Sequence, residues 1–263
     1  MVVTGAKPVG VEDEAQAARA VQQMFDLIAP RYDLLNHVLS ASVDRLWWWQ
    51  TARKFRAILA DPDASVLDVC CGTGHMTRAL LKGRPHGARP ILAADFAREM
   101  LSRGARRFKS RDSASSAHAP FAVAIEADAL HLPLRAASLD LIVAAFGFRN
   151  LANYESGLRE FARVLKPGAQ LGILDFAEPG GLMGRAYAVY FRRILPVIGR
   201  LISGRVGAGQ AGPYSYLPAS VARFPSPPEM LTLMRATGYS ECKWQPYTFG
   251  IAGLYTGVRR AAG

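Results

Sequence analysis

The sequence predicts an α/β fold: a doubly wound, mostly parallel seven-stranded sheet covered by helices on both faces. Two observations predict it. Short apolar runs alternate strictly with helical segments between Val66 and Phe176, which is the pattern of a parallel sheet. The closing run to Arg259 is typical of an antiparallel hairpin that completes the sheet. Ligands of such sheets bind at the carboxyl ends of the strands, where we expect the functional site.

The elements follow from hydrophobic periodicity and from turn residues. The parallel strands are predicted from Val66 onward and at Ile91–Asp95, Phe121–Ile125, Leu139–Ala145 and Leu171–Phe176. Helices are predicted at Glu14–Ala29, from a cap at Asp44 to Ala60, and at His75–Lys82, Phe96–Arg107, Asn153–Lys166 and Pro227–Thr237. We expect residues 1–12 to be a disordered tail and residues 13–263 to be a single domain. Within it, residues 13–60 are predicted to form a helical lid and residues 182–225 a helical substrate cover inserted after strand five.

Composition limits the class of partner. The chain has 263 residues and a net charge of +11, with a pI near 10.0, so it favours an anionic partner or surface: nucleic acid, an anionic membrane leaflet or an acidic substrate. The three cysteines form neither a disulfide framework nor a metal-binding pattern, so no metal is expected. There is no signal-peptide pattern and no apolar run of ~18 residues. We therefore expect a cytoplasmic protein with peripheral contact at the inner face of an anionic membrane.

The stretch from Asp68 to His75 is the strongest functional signal. It predicts an apolar strand, a turn that contains Gly72, Thr73 and Gly74, and the start of a helix. Such a turn lets backbone approach a ligand closely. The third glycine of a dinucleotide fingerprint is replaced by Thr77. Asp68 inside the strand suits a ligand that carries ammonium and sulfonium charge rather than a pyrophosphate.

The next two strands also end in carboxylates. Asp95 follows the turn at the spacing at which an acid accepts hydrogen bonds from ribose hydroxyls (~20 residues). Phe96 begins the following helix, and Met100 on that helix is predicted to face the glycine turn. After strand three, Asp128 is placed to bind an adenine amino group, and Ala129 offers a backbone N–H. These patterns predict a nucleoside site.

Two segments carry exposed aromatic and basic residues. Trp47, Trp48 and Trp49 cannot all point into the core from one helix, since successive residues are ~100° apart, so at least one ring should face solvent, lipid or a partner. Residues 182–202 form a basic amphipathic segment, which favours either a cover helix or the wall of an apolar pocket near a membrane.

Longer motifs narrow the class of protein that the chain resembles. They are Tyr32-Asp33-x-x-Asn36-His37-x-x-Ser40, Phe146-Gly147-Phe148-Arg149-Asn150, Arg163-Val164-Leu165-Lys166-Pro167-Gly168, and Tyr214-x-Tyr216-Leu217 with Phe224-Pro225. Over about residues 20–258 the chain resembles the UbiE/MenG-type methyltransferases, which methylate a ring carbon of ubiquinone and menaquinone precursors with S-adenosylmethionine (SAM). The glycine turn resembles motif I of class I SAM methyltransferases in general.

The resemblance implies that Thr73, Asp95, Asp128, Ala129 and Ala145 contact SAM. Ala145 replaces the serine usual in the family, which removes one side-chain hydrogen bond of about 1 kcal/mol. Other departures, such as Asp44 and Ser215, concern the substrate side rather than the cofactor side. The implied substrate is a lipophilic prenylated quinol of the demethylmenaquinol or 2-polyprenyl-6-methoxy-1,4-benzoquinol type.

Ring methylation requires a phenolate to activate the carbon. Arg149 is too basic to act as the base, so we assign it to holding the oxyanion or polarising a water. Tyr32, Asp33, Asn36 and His37 of the lid, with Asn150 next to Arg149, are expected to complete that network. The sequence leaves open whether His37 has a purely structural role instead. The sequence leaves open another aromatic or polyketide substrate. Nucleic acid is disfavoured, because neither an Asn/Asp-Pro-Pro-Tyr motif nor a cysteine nucleophile follows strand four. It also leaves open whether the protein is a homodimer.

Overall fold

The computed structural model describes Gly5 and residues 16–26, 29, 43–108, 119–177 and 220–261. Its strands are β1 (Val66–Val69), β2 (Ile91–Asp95), β3 (Ala122–Glu126), β4 (Leu139–Ala145), β5 (Leu165–Phe176), β6 (Tyr239–Tyr247) and β7 (Ala252–Arg259). They form one seven-stranded sheet in the order β3-β2-β1-β4-β5-β7-β6. Strands β1 to β5 pair in parallel, and β7 pairs antiparallel with both β5 and β6. This confirms the predicted fold class.

The helices are α1 (residues 16–26), α2 (Asp44–Lys54), α3 (Arg56–Ala60), α4 (His75–Leu81), α5 (Arg98–Phe108), α6 (Tyr154–Val164) and α7 (Pro227–Ala236). The helix predicted from Asp44 to Ala60 is interrupted at Phe55, and Val43 rather than Asp44 is the N-cap of α2. The capping prediction for Asp44 was therefore wrong. Asn153 caps α6 through a bond from the backbone N–H of Ser156.

Strand β1 lies at the point where the winding of the sheet reverses, because it pairs with β2 on one side and with β4 on the other. In open parallel sheets this reversal opens a crevice at the carboxyl ends of the strands. The tips of β1 and β4 are in contact there: a side chain at Gly147 would collide with Cys70. The glycine turn and the loop after β4 therefore face the same crevice.

Apolar side chains fill both faces of the sheet. One cluster includes Phe148, Phe161 and Tyr239, and packs with α6 and α7. The other includes Trp47, Phe55, Leu59 and Leu80, and packs with α2, α3 and α4. Burying apolar side chains on both faces makes the position of the crevice a property of the rigid core.

Parts of three sequence-based predictions fall outside the described residues. Of the predicted tail, only Gly5 is described, and it packs against the backbone of Leu151 and Ala152. The lid residues Tyr32 and His37 lie outside the described ranges, as do residues 182–219 of the predicted cover. Within the described ranges, none of the helices combines the length and the apolar character needed to cross a bilayer.

Candidate active site

A cavity of about 360 Å³ opens at the crevice. This volume lies at the lower end of the range of small-molecule sites (about 300–1,000 Å³). Its walls come from α1, α2, the glycine turn and the loops after β2, β3 and β4. Of the residues predicted to bind the cofactor, the cavity is lined by Gly72, Thr73, Asp95, Phe96, Met100, Asp128, Ala129 and Ala145. The structure therefore brings together residues that are up to 73 positions apart in the chain.

The glycine turn requires its glycines. Gly72 and Gly74 have φ values of 52° and 80°, in the left-handed region that disfavours other residues. A side chain on Gly74 would also collide with the ring of Phe108. Helix α5 crosses closely behind the turn at Gly104, where an added Cβ would lie 2.9 Å from the carbonyl oxygen of Gly72. Met100 on the same helix approaches Gly72, as the sequence predicted.

Asp95 connects the turn to the neighbouring strand. Its Oδ2 accepts the backbone N–H of Gly72 at 2.7 Å, and its Oδ1 accepts that of Ala97 at 2.9 Å. The carboxyl is 7% exposed, and burial raises its pKa to about 6, although these backbone hydrogen bonds oppose the rise. Each oxygen retains a lone pair. Asp95 can therefore hold the turn and still accept hydrogen bonds from ligand hydroxyls.

Asp128 follows β3 and lines the cavity. Its Oδ1 accepts the backbone N–H of Leu130 at 2.9 Å, and its Oδ2 lies 3.2 Å from Nδ1 of His131. The side chain is half-exposed, whereas Ala129 beside it is buried. This arrangement fixes the direction of the carboxylate and leaves it accessible from the cavity.

Asp68 lies beneath the turn rather than in the cavity. It is fully buried, does not line the cavity, and its Oδ2 accepts the hydroxyl of Thr77 at 2.5 Å. Burial raises the pKa of Asp68 to about 7, the bond from Thr77 opposing the rise. Among the described residues, Oδ1 of Asp68 has no hydrogen-bond partner. From this position Asp68 joins β1 to α4, and it lies outside the cavity that its predicted contact with a ligand would require it to face.

Arg149 is also placed differently from the prediction. Its Nη1 donates to Oδ1 of Asp175 at 2.7 Å and to the carbonyl of Phe146 at 2.5 Å, and the side chain is 5% exposed. The guanidinium stacks over the ring of Phe176 at 5.2 Å. Arg149 is absent from the described cavity wall, whereas Asn150 lines it. A direct contact between Arg149 and a substrate oxyanion would require this buried ion pair to rearrange.

An aromatic wall was not found from sequence. Phe146, whose φ is 57°, lines the cavity and packs on Trp47 and Phe176 at 5.8 and 4.8 Å between ring centroids. Trp48 stacks flat on His75, at 4.5 Å and an interplanar angle of 6°. Trp49, by contrast, is 52% exposed. This confirms that one of the three tryptophans faces outward.

Arg107 joins this wall to the glycine turn. Its Nη1 donates to the carbonyl of Thr73 at 3.1 Å and to Nε2 of His75 at 2.8 Å. The only sign in the sequence of these bonds from Arg107 is that His75 directly follows the glycine turn. Arg107 and Gly104 lie ~30 residues further along, and no local pattern connects them to the turn. Cys70, taken from the sequence as a small buried residue, lines the cavity with a left-handed φ of 55°.

The residues present fit SAM. Two fixed carboxylates face the cavity, the glycine turn exposes backbone, and apolar side chains such as Met100 and Phe96 complete the wall. Within the described ranges, no group of three His, Cys, Asp or Glu side chains could hold a metal ion. The fold is similar to that of a SAM-dependent methyltransferase from Thermotoga maritima, with a TM-score of 0.59, 15% identity, and coverage of 91% of this chain and 100% of the other. Fold and site together define a class I SAM-dependent methyltransferase.

The model of the ubiE/COQ5 methyltransferase family matches residues 12–259. A demethylmenaquinone methyltransferase from Deinococcus radiodurans is 42% identical over 99% of this chain and 100% of its own length. The ubiquinone/menaquinone biosynthesis C-methyltransferase UbiE from Geobacter sulfurreducens is 38% identical over 91% of this chain and 88% of its own. The chain belongs to the ubiE/COQ5 methyltransferase family. The predicted family, enzyme class and cofactor are confirmed.

Proposed function

We propose that this methyltransferase transfers a methyl group from SAM to a ring carbon of a prenylated hydroquinone. We take demethylmenaquinol as the first substrate and a 2-polyprenyl-6-methoxy-1,4-benzoquinol as the second. The observation that carries the proposal is the 42% identity, over 99% of the chain, to a relative named for demethylmenaquinone. The aromatic wall of the cavity supports a flat aromatic substrate.

The cofactor end of the site is assigned to the glycine turn and its surroundings. Asp95 accepts from the ribose hydroxyls, Asp128 and the N–H of Ala129 bind the adenine edge, and Thr73 and Ala145 line the remaining space. Asp68 keeps β1 and α4 in register through Thr77. When bound, SAM supplies an electrophilic methyl group on a positively charged sulfur.

The substrate ring is assigned to the side of the cavity formed by Phe146, Trp48 and Asn150. Aromatic faces orient a flat ring, and orientation is the main requirement for aligning the carbon with the methyl group. The ring carbon becomes nucleophilic when a quinol hydroxyl loses its proton, and the ring C–H proton leaves after the carbon–carbon bond forms. Asn150 donates a hydrogen bond to the phenolate oxygen.

The proton acceptor is assigned to the lid. A histidine has an ordinary pKa of ~6.5, so His37 suits that role, and Tyr32 of the same segment is assigned to assist it. Arg149 acts through Phe146: it holds the Phe146 carbonyl and anchors the loop after β4 to Asp175. In this proposal Arg149 is a positioning residue.

Residues 13–60 act as a lid over both ligands and exclude water; α2 and α3 are packed on the sheet, and α1 is the part that closes. Two bonds support this: Gln22 donates to the carbonyl of Phe96 at 2.7 Å, and the N–H of Glu99 donates to Asp26 at 3.1 Å. These bonds attach α1 to Phe96, which follows Asp95 directly, and to the first turn of α5. Because the substrate is lipid-soluble, the enzyme works as a cytoplasmic protein in peripheral contact with the inner face of an anionic membrane.

The test is an assay of the purified protein with SAM and reduced quinols, followed by mass spectrometry of the product. We expect methylated menaquinol from demethylmenaquinol, and no product from an unprenylated catechol or from nucleic acid. Asp95→Asn should abolish turnover by weakening SAM binding, whereas Asp63→Asn, an exposed control away from the cavity, should not. Turnover of an unrelated aromatic compound without turnover of either quinol would refute the proposal.

A further inference from the structure

The exposed face of α2 carries apolar and basic side chains together. Leu46 and Trp49 are 48% and 52% exposed, which makes them two of the most exposed large hydrophobic residues in the described part of the chain. Arg45 and Arg53 are exposed beside them. At ~100° per residue, these four side chains fall within one arc of roughly 100° on the helix. We name them the α2 patch.

The opposite face of α2 belongs to the interior. Trp47 and Trp48 are buried, and Trp48 lines the cavity. Nε1 of Trp47 donates to the hydroxyl of Thr248 at 2.8 Å, which attaches the helix to the sheet beyond β6. One rigid helix therefore carries a wall of the active site on one side and the α2 patch on the other.

The exposed charged side chains of α2 and α3 are all positive. Lys54 and Arg56 follow Arg53 and are also exposed, whereas Asp44, the one acidic residue of α2 and α3, is 4% exposed. Within the described part of the chain, no carboxylate forms an ion pair with any of the four cations Arg45, Arg53, Lys54 and Arg56. The guanidinium of Arg53 lies 5.2 Å from the centroid of the Trp49 ring. An exposed aromatic ring with cations over and beside it is complementary to the boundary between lipid headgroups and acyl chains.

We propose that the α2 patch docks the enzyme on an anionic phospholipid surface and presents the adjacent cavity to a substrate held in that surface. The docking proposal deepens the proposed function and rests on it, because the purpose of docking is to reach a lipid-soluble quinol. Docking itself needs no substrate. A neutral protein partner would not require the four cations Arg45, Arg53, Lys54 and Arg56. A second copy of this chain, which carries a net charge of +11, would place like charges face to face.

The test is co-sedimentation of the full chain with vesicles of phosphatidylcholine, with or without one third phosphatidylglycerol. The wild type should bind the anionic vesicles, and salt should weaken that binding. Leu46→Ser with Trp49→Ser, and separately Arg45→Glu with Arg53→Glu, should each weaken binding by about tenfold or more. The matched control is Phe121→Ser with Arg106→Glu, at the β3 edge of the sheet, where Phe121 is 48% exposed and Arg106 is also exposed. It should bind as the wild type does.

Activity separates docking from function. With a short-chain, water-soluble quinol the patch variants should turn over as the wild type does, whereas with a long-chain quinol embedded in vesicles their rate should fall. Patch variants that bind vesicles like the wild type would overturn the proposal, as would loss of a dimer in sedimentation equilibrium without loss of vesicle binding. Vesicle binding with no turnover of any quinol would refute the proposed substrate and leave the docking surface standing.

Discussion

Nη1 of Arg149 lies 2.7 Å from Oδ1 of Asp175, and both side chains are almost completely buried. Arg149 lies in the short turn after β4, and Asp175 is the second-last residue of β5. The two strands pair up to Ala145 and Leu174, so their ends lie side by side. The same nitrogen donates to the carbonyl of Phe146, which has a left-handed φ. The ion pair therefore fixes the conformation of a cavity-lining loop.

Removing one partner of this pair should cost stability first. Arg149→Ala leaves the Asp175 carboxylate buried without its cation, and such changes cost about 3–5 kcal/mol. Urea unfolding measures the loss. In the double variant Arg149→Met/Asp175→Asn, no charge remains buried, so a large part of the loss should be recovered. A single variant within about 1 kcal/mol of the wild type that still loses all turnover would favour direct catalysis by Arg149 instead.

The pH dependence of stability should reveal Asp68. Burial raises its pKa from 3.8 to about 7, so the folded protein binds this proton more tightly than the unfolded chain does. Its contribution to stability is therefore fully present below about pH 4 and is lost as the pH rises through about 7. Relative to the wild type, Asp68→Asn should gain about 2–4 kcal/mol between about pH 4 and pH 8.

Asp140 provides the matched control for that measurement. Partial burial raises the pKa of Asp140, but hydrogen bonds from Lys166 and Ser65 outweigh this and keep the pKa below its usual value. Its contribution is thus present above about pH 4 and is lost only in stronger acid. The stability difference between Asp140→Asn and the wild type should be flat from about pH 5 to pH 8. An equally flat stability difference for Asp68→Asn would contradict the raised pKa of the buried Asp68 carboxyl.

Gly104→Ala should weaken the site although alanine is the better helix former by about 1 kcal/mol. The new Cβ would lie 2.9 Å from the carbonyl oxygen of Gly72, so α5 must move away from the glycine turn. We expect a lower melting temperature and weaker binding of SAM by calorimetry. Ser102→Ala, on the exposed side of the same helix, should raise stability slightly and leave binding unchanged. A stabilised Gly104→Ala variant with unchanged affinity would contradict this close approach.

His75 should contribute to cofactor affinity through its ring and through Nε2. Because a guanidinium only donates, Nε2 accepts from Arg107 and the proton lies on Nδ1. His75→Ala removes the stack on Trp48 and frees Arg107 from one of its bonds, so SAM binding should weaken about two- to tenfold. His75→Phe keeps the stack and should show a smaller loss. Equal losses for the two variants would mean that the stack contributes nothing.

Local patterns predicted the strands, the order of the elements and the carboxylates at strand tips. Asp95 and Asp128 could be assigned because a strand's carboxyl end is defined within the strand itself, and parallel strands bring those ends to one edge. The outward-facing tryptophan followed from helical geometry alone. The interruption of the second helix at Phe55 and the N-cap at Val43 were not predicted, because helix boundaries depend on packing as well as on propensity.

The sequence by itself determined the fold class, the cofactor and the family, because these depend on residues within short segments and on their order. Only the tertiary structure decided what several of those residues do. Asp68 lies under the glycine turn rather than in the cavity, and Arg149 forms an ion pair with Asp175, because the depth and the partner of a side chain are set by the packing of strands far apart in sequence. Gly104 and Arg107 support the turn for the same reason: α5 crosses it at that point, and no spacing along the chain encodes that crossing.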